Sequence, residues 1–156
     1  MTAIYLFDWG NTLMVDLPDQ QGKMYQWDTV QVVDGAEALL KSLASTCRVY
    51  IATNADDSAE ADVRKAFERV GLDRYIRGYF CKQNLGIEKG SPQFYRKIAA
   101  ELGVEPDALI MVGDTLDKDV LPAIEAGLNA VWFNREKAET ASAYQQIRHL
   151  SELLEG

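Results

Sequence analysis

Five short apolar runs, each separated from the next by a segment of helical period, constrain this chain more than any other feature. They are Ile4–Phe7, Arg48–Asn54, Gly78–Cys81, Ala108–Gly113 and Asn129–Phe133. Such runs read as strands buried on both faces, as in a parallel sheet. The segments between them carry helix signals. Ala38, Leu39, Leu40, Leu43 and Ala44 follow Asp34-Gly35-Ala36-Glu37, an acidic cap with glutamate three positions on, the capping-box arrangement. Ala59, Val63, Ala66, Phe67 and Val70 recur at helical spacing after Asp56, Asp57 and Ser58, with Gly71 as the stop. Ser91 as cap and Pro92 at the first helical position open a helix to about Leu102, ended by Gly103. Asp117 and Asp119 lead a helix through Ala126, with Pro122 in its first turn and Gly127 at its close. Ile147–Leu150 reads as a short edge strand and Ser151–Leu154 as a last helical turn. The alternation predicts a doubly wound, Rossmann-like α/β fold. It has about five core parallel strands, helices on both faces and right-handed crossovers.

No repeat or Pro/Gly/Ser-rich linker interrupts the 156 residues, so 1–156 reads as one domain. The net charge of −8 argues against a nucleic-acid groove or an anionic membrane surface, both of which want a basic face. It leaves anionic substrates open, because a bound metal reverses the local field. No apolar run approaches the ~20 residues of a membrane span, and no basic region followed by an apolar signal core opens the chain. Cys47 and Cys81 read as free thiols in apolar settings. Together these features lead us to expect a cytoplasmic protein. The single histidine, His149, reads as a surface or edge residue. Its isolation argues against a His-rich zinc site or a catalytic histidine.

Polar residues stand at the carboxyl ends of three runs: Asp8, Thr53-Asn54 and Asp114. Ligands of open α/β sheets collect there. Lys89 and Asp119 complete the set. Each residue alone is equally a turn residue, a cap or a solvated charge; the set is what points to chemistry. Two or three carboxylates near one point repel each other and call for a cation. Hard oxygen ligands without His or Cys suit Mg²⁺. A hydroxyl and a lysine can hold phosphoryl oxygens, and a carboxylate can attack phosphorus to give an acyl phosphate.

With these residues in place, the chain resembles the haloacid dehalogenase superfamily, most of whose members hydrolyse phosphates through an aspartyl-phosphate. Phe7-Asp8-Trp9-Gly10-Asn11-Thr12 matches its first motif, Asp-x-Asp-x-Thr after an apolar strand, except at one position. Ile51-Ala52-Thr53-Asn54 matches the second motif and Lys89-Gly90-Ser91-Pro92 the third. Val112-Gly113-Asp114-Thr115-Leu116-Asp117-Lys118-Asp119 matches the fourth. The resemblance implies Asp8 as nucleophile and metal ligand, the Gly10 carbonyl and Asp114 as further ligands, and Asp119 as ligand or orienter of the metal shell. It implies that Thr53, Asn54 and Lys89 bind the phosphoryl group. Asp117 reads as a helix cap, with the alternative that its carboxylate replaces that of Asp119.

The exception is Gly10, where the family's phosphatases carry the aspartate that protonates the leaving alcohol and activates water. Positioned acid–base help is worth ~10²–10⁴-fold, so weakened general acid catalysis follows. Members without that aspartate include dehalogenases and phosphonate-cleaving enzymes. Only 45 positions separate Asp8 from Thr53, and 36 separate Thr53 from Lys89, which leaves no room for a separate cap domain. Only the irregular stretch 13–33 could form a loop over the site, with Tyr25 and Trp27 either walling it or anchoring the loop to the core. Trp9 reads as packing on substrate or in the core. Lys23, Lys82 and Arg135 are candidate anion contacts but equally solvated charges. The resemblance therefore implies a capless Mg²⁺-dependent hydrolase. Its open site suits a phosphorylated small molecule or a larger phosphorylated substrate, or cover by another subunit of a homo-oligomer. The alternatives are a non-catalytic Mg²⁺- or phosphate-binding module of the same fold and dehalogenase- or phosphonatase-type chemistry.

Overall fold

Strand β1 (Ile4–Phe7) lies inside a six-stranded sheet whose order is β3-β2-β1-β4-β5-β6. Its companions are β2 (Arg48–Thr53), β3 (Gly78–Cys81), β4 (Leu109–Gly113), β5 (Asn129–Phe133) and β6 (Gln146–Ile147), and every pairing is parallel. The computed structural model describes residues 4–15, 26–27, 30–53, 60–81, 85–87, 90–134 and 145–154. The sheet has one strand more than the five core runs, the edge strand lying at 146–147 rather than 147–150. Strand order reverses between β1 and β4, the topological switch point where doubly wound sheets bind ligands.

Side chains of β1 alternate between the two faces, as the period of two requires. Phe7 packs with Leu39, Leu40, Val63, Ala66 and Phe67 from helices α1 (Ala36–Ala44) and α2 (Glu60–Arg69). Ile4 and Leu6 pack on the other face with Phe94, Ile98 and Ala123 from helices α3 (Pro92–Leu102) and α4 (Leu121–Glu125). Each fully buried Leu, Ile or Phe contributes about 1.5–3 kcal/mol, so this two-sided burial fixes where β1 ends and presents Asp8.

Two helix starts differ from the sequence expectation. Helix α1 is not opened by an Asp34–Glu37 capping box: its N-cap is Gly35, with φ at 86° and no side-chain cap. The Asp34 carboxylate instead meets His149 Nε2 at 2.8 Å, and a Cβ on Gly35 would sit 2.8 Å from that imidazole. The backbone N–H of Ser151 donates to His149 Nδ1 (3.1 Å), which leaves the ring proton on Nε2, facing Asp34. His149 is thus an edge residue with a tethering role, joining the C-terminal turn to the start of α1. The second difference is at Asp119. Asp117 and Asp119 do not cap a helix running to Ala126. Leu116–Val120 forms a π turn, and α4 starts only at Leu121.

The described ends of the 13–33 stretch belong to the core. Leu13, Met14, Trp27 and Val33 are buried, Met14 bridges to both Gly10 and Val32, and Arg69 Nη1 donates to the Trp27 carbonyl. Trp27 therefore anchors its segment, and Trp9 is likewise buried in the core. Tyr25, Lys23, Lys82 and Arg135 lie outside the described residues. Neither cysteine forms a disulfide; Cys81 is buried and Cys47 half-buried. Among the described residues no helix is long and apolar enough to cross a membrane.

Candidate active site

Asp8 follows β1 directly, and its backbone N–H continues the ladder to the Val112 carbonyl at 2.9 Å. Phe7 pairs with Val112, so Asp8 and Asp114 leave adjacent strands almost level. A tight turn follows Asp8. The Trp9 carbonyl accepts the N–H groups of Thr12, Leu13 and Met14, and Asn11 takes a left-handed φ of 62°, a conformation asparagine tolerates. The turn brings the Thr12 hydroxyl back to donate to Asp8 Oδ2 at 3.1 Å. Thr12 is fully buried, so this hydroxyl orients the carboxylate.

One carboxylate oxygen from each of Asp8, Asp114 and Asp119 lies within 4.8 Å of the others. At that spacing, like charges repel by about 3 kcal/mol per pair at an effective dielectric near 20. The set is acid- and oxygen-only, which fits a hard divalent cation. Asp119 is 1% exposed, and its Oδ2 accepts both the Thr115 backbone N–H (3.1 Å) and the Thr115 hydroxyl (3.0 Å). A buried carboxylate needs such donors. The close approach also requires that Gly113 carry no side chain, since a Cβ there would lie 2.2 Å from Asp119 Oδ2.

Thr53 ends β2, beside β1, and is buried. Gly10, half-buried, stands in the turn after Asp8, and Asp117 is exposed. Asn54 and Lys89 lie outside the described residues. Sequence reasoning left Thr12 out of the site although it closes the first motif, and it missed Thr115 and Gly113. A hydroxyl directly after Gly113-Asp114 was an available signal for Thr115. Only the folded contact reveals what Gly113 does.

A family model described as haloacid dehalogenase-like hydrolase matches residues 10–127. The chain belongs to this family. Among curated relatives of this haloacid dehalogenase-like chain, the pyrimidine 5'-nucleotidase YjjG of Escherichia coli is 33% identical over 124 residues, covering 76% of this chain and 53% of that protein. The N-acylneuraminate-9-phosphatase of Mus musculus is 30% identical over 105 residues, covering 67% of this chain and 41% of that protein. The chain thus spans about half or less of the length of these relatives. The structure of a haloacid dehalogenase phosphatase from Thermococcus onnurineus matches with a TM-score of 0.79 at 22% identity, covering 99% of this chain and 97% of that one. A Listeria monocytogenes protein matches with a TM-score of 0.85 at 16% identity, covering 98% and 95%. At these identities the two structures speak for the fold alone.

Proposed function

We propose that this chain is a capless, Mg²⁺-dependent phosphatase acting through an aspartyl-phosphate on Asp8. The observation that carries the reading is the convergence of the Asp8, Asp114 and Asp119 carboxylates at the β1/β4 switch point. The phosphatase and the nucleotidase named among its relatives support the same class. Asp8, Asp114 and Asp119, with the Gly10 carbonyl, would hold the metal, which supplies charge neutralisation when bound. Asp8, oriented by Thr12, attacks phosphorus and the leaving oxygen departs with the P–O bonding pair. Thr53, Asn54 and Lys89 hold the phosphoryl oxygens. Water then attacks the aspartyl-phosphate, releasing phosphate and restoring Asp8.

Gly10 offers no proton to the leaving oxygen. The substrate class favoured is therefore one with a low-pKa leaving group, such as an acyl or aryl phosphate. The intermediate should also hydrolyse slowly, because no side chain at position 10 activates water. The reading is tested with acetyl phosphate, p-nitrophenyl phosphate and an alkyl phosphate, in the wild type and in Gly10→Asp. We expect a hydroxylamine-sensitive phosphoenzyme that disappears in Asp8→Asn. We also expect alkyl phosphate turnover to rise by up to ~10²-fold in Gly10→Asp, the lower end of general acid–base contributions. Fastest turnover of the alkyl phosphate by the wild type overturns the leaving-group argument. Gly10 equally favours a second reading, a non-catalytic metal- or phosphate-binding module. Metal binding with no covalent species from any phosphodonor would select it.

A further inference from the structure

The acidic loop between β4 and α4 is held from outside as well as by its own hydrogen bonds. In a π turn the hydrogen-bond pattern is wider than in an α-helix and rarely persists beyond one turn, and such turns cluster at functional sites. Here the Thr115 carbonyl is shared by the N–H groups of Asp119 (3.1 Å) and Val120 (3.3 Å), and the Leu121 N–H returns to the Leu116 carbonyl. Two carbonyls of the loop, those of Asp114 and Lys118, receive donors from elsewhere in the fold. Trp132 Nε1, on β5, donates to the Asp114 carbonyl at 3.1 Å. The Tyr95 hydroxyl, on α3, donates to the Lys118 carbonyl at 2.9 Å.

Both donors sit on rings with little freedom. Tyr95 is fully buried, edge-on to Phe94 with ring centroids 5.2 Å apart, and Trp132 is 5% exposed. A buried Tyr or Trp needs a partner for its polar atom, and here each spends it on the backbone of the acidic loop. One bond is at Asp114 itself; the other is at the residue before Asp119. The backbone that carries the two metal-facing carboxylates is therefore held at two points, by donors from two different elements. A Cβ on Gly90 would meet the Lys118 side chain at 3.9 Å, so the segment leading into α3 also runs beside this point.

We propose that Tyr95 and Trp132 are positioning residues, a two-point clamp that sets the Asp114–Asp119 spacing for a divalent cation. This rests on the metal site proposed above. Neither residue touches the metal or substrate; each acts through a backbone carbonyl.

The test uses Tyr95→Phe, Trp132→Phe and the double variant of the full chain. Mg²⁺ affinity is read by titration calorimetry, and thermal unfolding is measured in EDTA. Tyr95→Phe keeps the ring and so keeps the fold. Loss of one hydrogen bond of ordinary strength should raise the Mg²⁺ dissociation constant roughly 5-fold, and the double variant should raise it further. Excess Mg²⁺ should restore phosphoenzyme formation in each variant. A lower unfolding temperature in EDTA with unchanged Mg²⁺ affinity would make both residues merely structural and overturn the clamp alone. A wild type that binds no Mg²⁺ overturns the metal site itself, and the clamp with it.

Discussion

Gly113→Ala puts a methyl group where the structure has a carboxylate. The added Cβ would stand 2.2 Å from Asp119 Oδ2, 2.3 Å from its Cγ and 2.4 Å from its Cβ. Rotating the Asp119 side chain cannot relieve the last contact, so the π turn itself must shift. Overpacking a core position costs about 1–3 kcal/mol. The shift also strains the two Thr115 donors on Asp119, and hydrogen bonds to charged groups are worth about 1.5–3 kcal/mol each. Because these terms overlap, we expect a total loss of about 3–5 kcal/mol, a large share of the ~5–15 kcal/mol of a typical domain. The assay is urea unfolding with and without Mg²⁺. For the wild type, Mg²⁺ at a hundred times its dissociation constant should add about 2.7 kcal/mol. Gly113→Ala should lose that increment. Adding Asp119→Gly should recover about 2 kcal/mol of stability, despite the ~1 kcal/mol helix penalty of glycine, but not the Mg²⁺ response. A single variant with wild-type stability and a full Mg²⁺ response refutes the reasoning. So does a second substitution that merely adds its own cost.

Thr12→Val removes the hydroxyl on Asp8 Oδ2 and should slow phosphoenzyme formation about 10-fold, the equivalent of one charge-assisted hydrogen bond; rapid-quench kinetics would read this. Trp9 is 6% exposed and, among the described residues, its Nε1 has no hydrogen-bond partner. Trp9→Phe should therefore lose less than the ~3 kcal/mol typical of a deleted core aromatic, since it also removes an unsatisfied donor; chemical denaturation measures the difference. Glu152 accepts the backbone N–H groups of Arg148 and His149, which hold its carboxyl below the usual range. A depressed folded pKa means that this stabilisation is present above the unfolded value of about 4.3 and is lost as pH falls through the folded pKa. Glu152→Gln should cost under about 1 kcal/mol at pH 7, given the group's exposure. The gap from wild type should narrow as pH falls beneath the unfolded value and close once pH has passed through the folded pKa, as thermal melts across the acid range would record.

Much of the fold was legible because strand signals here are local. Gly78–Cys81 and Asn129–Phe133 were bounded to the residue, as an apolar aromatic run between polar or glycine neighbours can be read without tertiary context. The acidic site was legible in the same way, since Asp8 and Asp114 each end such a run. What failed was settled by contacts between distant segments. Asp34 looked like a cap because its neighbours fit the pattern, but its carboxylate is taken by His149, 115 positions away. Asp117 and Asp119 have the same chemistry and nearly the same place in sequence, yet one is exposed and the other buried. The π turn that separates them has no distinct periodicity. Nothing in the sequence marked the indole of Trp132 or the hydroxyl of Tyr95 as donors to the acidic loop, because a sequence gives no sign of which carbonyl a buried donor will reach.

The central pairing of the sheet has a kinetic consequence. Phe7 and Val112 are neighbours across the β1/β4 ladder but stand 105 positions apart in the chain. Contacts of such long sequence separation form against a large loss of chain entropy and are slow. The strands on either side can find their neighbours earlier, through shorter connections. The acidic cluster therefore comes into being only with this late closure, and no fragment lacking β4 can assemble it. A cation held there would resist the opening of that same ladder, so metal release and the parting of the sheet at its midline should be coupled events.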